Sequence, residues 1–246
     1  HAVAVVKAGV FTVLKVIVYL FGSDFLRESG YGDWLAYIAG ATVLTASLIA
    51  MTKDNLKARL AYSTVSQLSY IILGAALFTP LGAIGGAMHI AMHALGKITL
   101  FFCAGAIYVA SGKTQISDMH GIGRVMPFTL FAFFIGSLSV IGLPPMGGSW
   151  SKYFIAMGAL ESGQIVFVAV LMISSLLNIA YLLPIVARGF FSPPSDEIGS
   201  GNVAATKIKE APLLCVAPLC LTAFGCIVLF FYADPLYRLL APIGGG

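Results

Sequence analysis

Residues 140–152 read VIGLPPMGGSWSK and stand in the middle of an apolar run from residue 125 to residue 157. As one straight helix that run would be about 50 Å long, against a hydrocarbon core of roughly 30 Å. Pro144-Pro145, flanked by Gly142, Gly147 and Gly148, cannot continue an α-helix. Neither proline supplies a backbone N–H, and each glycine weakens helical order. The run therefore reads as two half-helices joined by an unwound segment. Unwound backbone at membrane depth is tolerated only where protein buries it or where it lines a wet cavity. Lys152 then falls in the first turn of the second half-helix, near the positive end of its dipole. Burial and dipole both disfavour a fixed charge there, which suits an amine that loads and releases a proton.

The rest of the chain is equally apolar. Its 246 residues are 59% hydrophobic and 10% charged, with a mean hydropathy of +0.96. A soluble domain carries about 25% charged residues, so a soluble enzyme, a nucleic-acid binder and a disordered protein are excluded. An all-α polytopic membrane protein remains. Seven runs are long enough to span: residues 2–21, 34–51, 60–78, 81–110, 125–157, 164–186 and 212–232. They are too long for barrel strands of about ten residues, and they do not alternate. The run 81–110 also carries Gly82, Gly85, Gly86 and Gly96, so a second interruption near His89 or Gly96 is expected. Residues 188–211, with Pro193-Pro194, Gly199 and Gly201, read as an exposed polar loop, with room for a short amphipathic helix on the membrane surface.

Charge placement sets orientation. Lys53, Lys57, Arg59, Lys113, Arg124, Arg188, Lys207 and Lys209 lie on one side, against Arg27 and Arg238 on the other. This bias places the first side in the cytoplasm and the C-terminus on the outer face; the expected membrane is a bacterial inner membrane. The first apolar run opens at Ala2, directly after His1, with no initiator Met, so a fragment of a longer protein is expected. Cys103, Cys215, Cys220 and Cys226 lie in apolar runs at no metal-ligand spacing and read as packing residues. They cannot hold an iron–sulfur cluster, and no flavin or quinone signature accompanies them, so no cofactor is expected in this chain.

Of the 14 basic residues, four lysines remain inside apolar runs: Lys7, Lys15, Lys97 and Lys152. Every acidic residue falls in a connection or at a span edge. A lysine within the membrane costs on the order of 3 kcal/mol or more and is a functional candidate by default. Lys15 can snorkel or pair with a neighbour, and Lys7, near the start of its run, can snorkel too. Lys97 and Lys152 lie deeper. In MHIAMHALGK (residues 88–97), His89, His93 and Lys97 recur at i+4 and share one helical stripe. Neutral imidazole donates and accepts a hydrogen bond and titrates near physiological pH, so the stripe reads as a proton relay. Metal binding by the two histidines competes with that reading, but no third ligand is nearby and Lys97 would repel a cation. Ionisable groups beside broken helices point to an ion pathway.

Three segments, KDNLKARLAYSTVSQLSYIILG (residues 53–74), MHIAMHALGKITLFFCAGAI (88–107) and IGLPPMGGSWSK (141–152), resemble the antiporter-like membrane subunits. These occur in respiratory complex I, in multisubunit cation/proton (Mrp) antiporters and in membrane-bound hydrogenases. The resemblance implies fourteen core helices in two inverted five-helix repeats, of which this chain matches the second half. HAVAVVKAGVFTVL, within residues 1–22, is similar to the eighth helix. Residues 34–187 correspond to the five-helix half-channel repeat, 188–211 to a loop, 212–233 to the final helix and 234–246 to a tail. By resemblance, Lys7 connects the half-channels, His89, His93 and Lys97 form a central polar axis, and Lys152 is the terminal lysine. The family's first-half glutamate and lysine have no counterpart in this sequence.

The expected function is proton translocation through a half-channel of an NADH:quinone oxidoreductase-type complex. No redox step is placed in this chain, so any NADH dehydrogenase label belongs to the complex. The expected partners are the bilayer and the other membrane subunits of that complex, with protons as cargo and no nucleic acid. An Mrp-type subunit exchanging Na+ for protons is the alternative, favoured by KEAPLLCVAPL (209–219) and ADPLYRLL (233–240). Sodium, however, prefers carboxylate or carbonyl oxygens. A non-transporting structural subunit is a further alternative, and a seven-helix receptor a remote one.

Overall fold

The computed structural model describes residues 4–30, 32–193 and 208–244. In chain order, α1 (Val5–Lys15) runs into a π-helical turn (Val16–Phe21) and then bends by 80° into the short α2 (Ser23–Ser29). The long helices α3 (Asp33–Thr52), α4 (Leu56–Ala76) and α5 (Pro80–Ser111) follow. A short α6 (Ile122–Val125) leads into α7 (Pro127–Ile141), α8 (Gly148–Glu161), α9 (Ile165–Phe191), α10 (Leu213–Phe231) and α11 (Ala233–Gly244). Among the described residues there is no strand, only an isolated antiparallel bridge between Asn55 and Gln115.

The helix break falls at the diproline. Helix α7 ends at Gly142, whose φ of 87° takes the chain out of the helix, and α8 restarts at Gly148. Other helix boundaries also have local causes. Asn55 accepts a hydrogen bond from the Ala58 N–H (3.1 Å), and Thr79 accepts one from the Gly82 N–H (3.2 Å) with Pro80 at the first helical position. At α7 the cap comes from far along the chain. Glu210 accepts the backbone N–H of Phe128 (2.7 Å) and of Thr129 (3.3 Å) and the Thr129 hydroxyl (2.6 Å). A carboxylate at this end also meets the positive pole of the helix.

Among the described residues, four helices (α3, α5, α9 and α10) are long and apolar enough to cross a membrane, and the bent pair near the N-terminus makes up to five. The sequence counted seven runs. Two of these differ for physical reasons: α4 is 21 residues long but carries Ser63, Thr64, Ser66, Gln67 and Ser69, and the broken run divides into helices of 15 and 14 residues. The second interruption expected near His89 or Gly96 does not occur. Helix α5 continues through all 32 residues, and Gly82, Gly85, Gly86 and Gly96 face neighbouring helices. Arg188, expected in the loop, lies in the last turn of α9, and the C-terminal tail forms α11. Pro194, Gly199, Gly201 and Lys207 lie outside the described residues.

Helix α5 is the hub, packing against α4, α7, α8, α10 and α11. Small residues permit the approach, as is usual where lipid supplies no hydrophobic driving force between helices. A Cβ at Gly74 would stand 2.6 Å from the Gly82 carbonyl, and one at Gly85 would stand 2.7 Å from the Ile155 nitrogen. Two large apolar clusters result, beside a small third of Ile84, Met88, Met92 and Ala233. One gathers Leu60, Leu100, Phe133, Ile141 and Tyr181; the other gathers Leu14, Val43, Ile71, Ile155 and Phe167. Helices α4, α5 and α9 contribute to both, and between the two contributions each carries its buried polar residues.

This packing has a measurable consequence. Gly74→Val should destabilise the protein by about 1–3 kcal/mol, since neither backbone can yield to the added carbons. Gly105 is the control, because a Cβ there would meet nothing within 4 Å. Gly105→Ala should stabilise by up to about 1 kcal/mol through helix propensity. Thermal unfolding in detergent checks both; an unchanged midpoint for Gly74→Val would show that the helices are not in contact there.

Candidate functional site

The polar residues between the two clusters form one buried layer drawn from α4, α5, α8 and α9. Lys97 on α5 is fully buried and donates to the Ser63 hydroxyl (2.6 Å) and the Leu60 carbonyl (3.2 Å), both on α4. On α9, the Tyr181 hydroxyl donates to Ser63 (2.8 Å) and also contacts the Asn178 side-chain oxygen. One turn before Lys97, His93 is buried, and neither of its ring nitrogens has a hydrogen-bond partner among the described residues. A buried polar atom left so costs on the order of 1–3 kcal/mol unless a water or ion supplies the partner.

The His93 ring stacks on His89, with centroids 5.6 Å apart and planes 11° from parallel. His89 is held on both sides. Its Nδ1 lies 2.8 Å from the Ser151 hydroxyl on α8, and its Nε2 lies 3.2 Å from Oε1 of Gln67 on α4. Tyr70 also stacks on His89, with centroids 5.5 Å apart. Over the Tyr70 ring, at 4.8 Å, sits the ammonium of Lys152. The layer thus runs from Lys97 through His93, His89 and Tyr70 to Lys152.

Lys152 is placed differently from the expectation. It is the fifth residue of α8, and its Nζ turns back across the break to donate to the Ile141 carbonyl (2.9 Å) at the end of α7, and to Ser175 of α9 (3.2 Å). The amine therefore faces the carbonyl end of α7, where a helix presents unsatisfied acceptors and its negative pole, rather than the N–H end of α8. Gly142 makes room for this path, since a Cβ there would stand 2.7 Å from the Lys152 side chain.

Lys7 is buried on α1, which packs against α4 and α5, the helices that carry the polar layer. Lys15 faces outward, with its ammonium 5.7 Å from the Phe11 ring centroid. The structure therefore gathers Lys7, His89, His93, Lys97 and Lys152 and leaves Lys15 outside. Of the break residues, Gly147 and Gly148 are buried, while Pro144 and Pro145 are exposed.

Sequence reading missed the uncharged members: Ser63, Gln67, Tyr70, Ser151, Ser174, Ser175, Asn178 and Tyr181. Ser63, Gln67 and Tyr70 recur on α4 at helical spacing, so that stripe was available as a signal. Nothing in sequence singled out Asn178 or Ser175. Among the described residues no set of three or more His, Cys, Asp or Glu side chains is placed to hold a metal. What remains is a file of groups that both donate and accept hydrogen bonds, ending at each side in a primary amine.

Comparison with known proteins places the chain in a family and matches its fold. The family described as "NADH:quinone oxidoreductase/Mrp antiporter, TM" matches residues 2–178. NADH-quinone oxidoreductase subunit N of Desulforudis audaxviator is 36% identical over 207 residues, covering 82% of this chain and 41% of that protein. A Na(+)/H(+) antiporter subunit of Alkalihalophilus pseudofirmus is 28% identical over 233 residues, covering 94% of this chain and 45% of that protein. The chain thus spans under half the length of these curated relatives. The fold matches a chain in the structure of the Mrp complex from Dietzia sp. DQ12-45-1b with a TM-score of 0.85, at 24% identity, over 97% of this chain and 50% of that one. The protein is an integral, all-helical membrane protein belonging to the NADH:quinone oxidoreductase/Mrp antiporter transmembrane family.

Proposed function

We propose that this chain forms a proton half-channel, and that residues 34–187 are its five-helix repeat. Protons pass between Lys97 and Lys152 through His93 and His89, with Ser63, Tyr181, Gln67 and Ser151 holding the relay groups in place. The observation that carries the reading is the pair of stacked, buried imidazoles between two buried lysines. Imidazole can take a proton on one nitrogen and release one from the other, and the amines at each end can store it. Lys7 is the connection toward the other half of such a subunit. By its relatives' names, the chain works beside other membrane subunits of an NADH:quinone oxidoreductase-type complex. Loop charge supports a C-terminus on the outer face, and the membrane is taken to be a bacterial inner membrane. Redox chemistry is assigned to other subunits.

Cation exchange is the second reading, supported by the Na(+)/H(+) antiporter relative that aligns over 94% of the chain. Among the described residues, the polar layer holds no carboxylate to coordinate Na+, which favours protons.

In membranes carrying the protein at full length, Lys97→Met and Lys152→Met should each lower proton transport by about tenfold or more, with protein amount unchanged. Pumping that survived both substitutions would leave only a structural role. Dependence of transport on Na+ rather than on the proton gradient alone would transfer the reading to cation exchange. Ser63 offers a finer test, since it anchors Lys97 and Tyr181 together. Ser63→Ala should cost about 1.5–3 kcal/mol of stability and slow transport, whereas Ser63→Thr keeps the hydroxyl and should restore both. Thermal unfolding and proton uptake by vesicles read the two effects separately.

A further inference from the structure

Between α8 and α9 lies a cavity of about 370 Å3, within the range of small-ligand sites. Its walls include Leu143, Tyr153, Met172 and Leu176, all exposed on the outside of the bundle. Its lining also includes Lys152, which is buried, and Ser175, which is partly buried. An apolar cleft that opens outward and is lined by a buried amine has the polarity of an amphiphile-binding site. An ammonium carries three N–H donors, and the Ile141 carbonyl and Ser175 account for two of them. Among the described residues, no acidic side chain lines the cavity.

We propose that this cavity binds a long-chain fatty acid, its carboxylate against Lys152 and Ser175 and its acyl chain along the groove between α8 and α9. Depth selects this ligand over a phospholipid. Half-helices of 15 and 14 residues, about 22 and 21 Å long, meet at the break, so Lys152 lies far from either end of the α7–α8 segment. A phospholipid headgroup stays at the membrane–water boundary, and its phosphate seeks several donors. A fatty acid in its neutral form can sink to this depth, and its carboxylate needs no more than the one free donor for an ion pair. Where the amine is neutral, the O–H bond of the arriving acid breaks, its proton joins the Lys152 nitrogen, and an ammonium–carboxylate pair results with no other reactant; where it is already an ammonium, the acid pairs as its carboxylate. The pair would occupy the amine that the proton path uses, making the cavity a point of inhibition by membrane fatty acids.

The test reads binding rather than transport, so it fails or succeeds independently of the proton-path reading. The purified full-length protein is photolabelled with a diazirine derivative of palmitic acid, and labelled peptides are mapped by mass spectrometry. Labelling should concentrate on residues 143–179. It should fall about tenfold for the methyl ester of the same probe, which cannot pair with the amine, and similarly for Lys152→Met. Met172→Trp, which fills the groove from the exposed side, should also lower labelling. Equal labelling by the methyl ester, or undiminished labelling of Met172→Trp, would overturn the proposal. So would equal labelling by a photoreactive lysophospholipid, which would assign the groove to any single-chain lipid.

Discussion

The hydrogen bond from Lys152 to the Ile141 carbonyl holds the broken helix together. A diproline within an apolar run frees carbonyls that hydrocarbon cannot satisfy, and each one left bare is costly. Extending the first half-helix is impossible without N–H groups at the prolines. The side chain that closes the gap must come from the second half, one turn beyond its start, and it must be long enough to fold back. Lysine at position 152 meets both conditions, and Gly142 clears its path. The same bond fixes the amine over Tyr70, and Tyr70 stacks on His89. The geometry of the relay thus begins with the repair of the backbone.

The rest of the layer obeys the same constraint. Hydroxyls and amides on four helices face inward at one level because a polar group facing lipid has no partner. Their mutual bonds, such as Tyr181 and Lys97 on Ser63, satisfy some of that demand. His93 and the side-chain nitrogens of Gln67 and Asn178 keep unused capacity among the described residues. Fully satisfied networks rigidify, whereas a relay needs groups that can change partner. Apolar clusters above and below seal the layer, and the glycine contacts of α5 with α4 and α8 bring its walls together.

Much of this was legible in the residues. The break at Pro144-Pro145 follows from a missing donor, and the His89–His93–Lys97 stripe follows from helical periodicity; both are local facts. The glycines of α5 were misread as an interruption. In isolation Gly85 and Gly86 weaken a helix, but against Ile155 of α8 and Ile71 of α4 they are what lets the bundle close. Glu210, read as a loop residue, caps a helix whose first residues lie about eighty positions earlier. No local signal joins the two.

The sequence by itself determined that the chain is helical and membrane-embedded, where its helix breaks, and which ionisable residues lie inside. Those properties depend on hydropathy, backbone chemistry and the 3.6-residue period, all of which act within a few turns. Only the tertiary structure decided which lysines face the interior, that Lys152 binds the carbonyl end of α7, and that Ser63, Gln67, Asn178 and Tyr181 complete the layer. Those outcomes depend on which helices pack together. The hydrophobic pattern requires burial of a polar face, but only interhelical contact decides the partner against which it is buried.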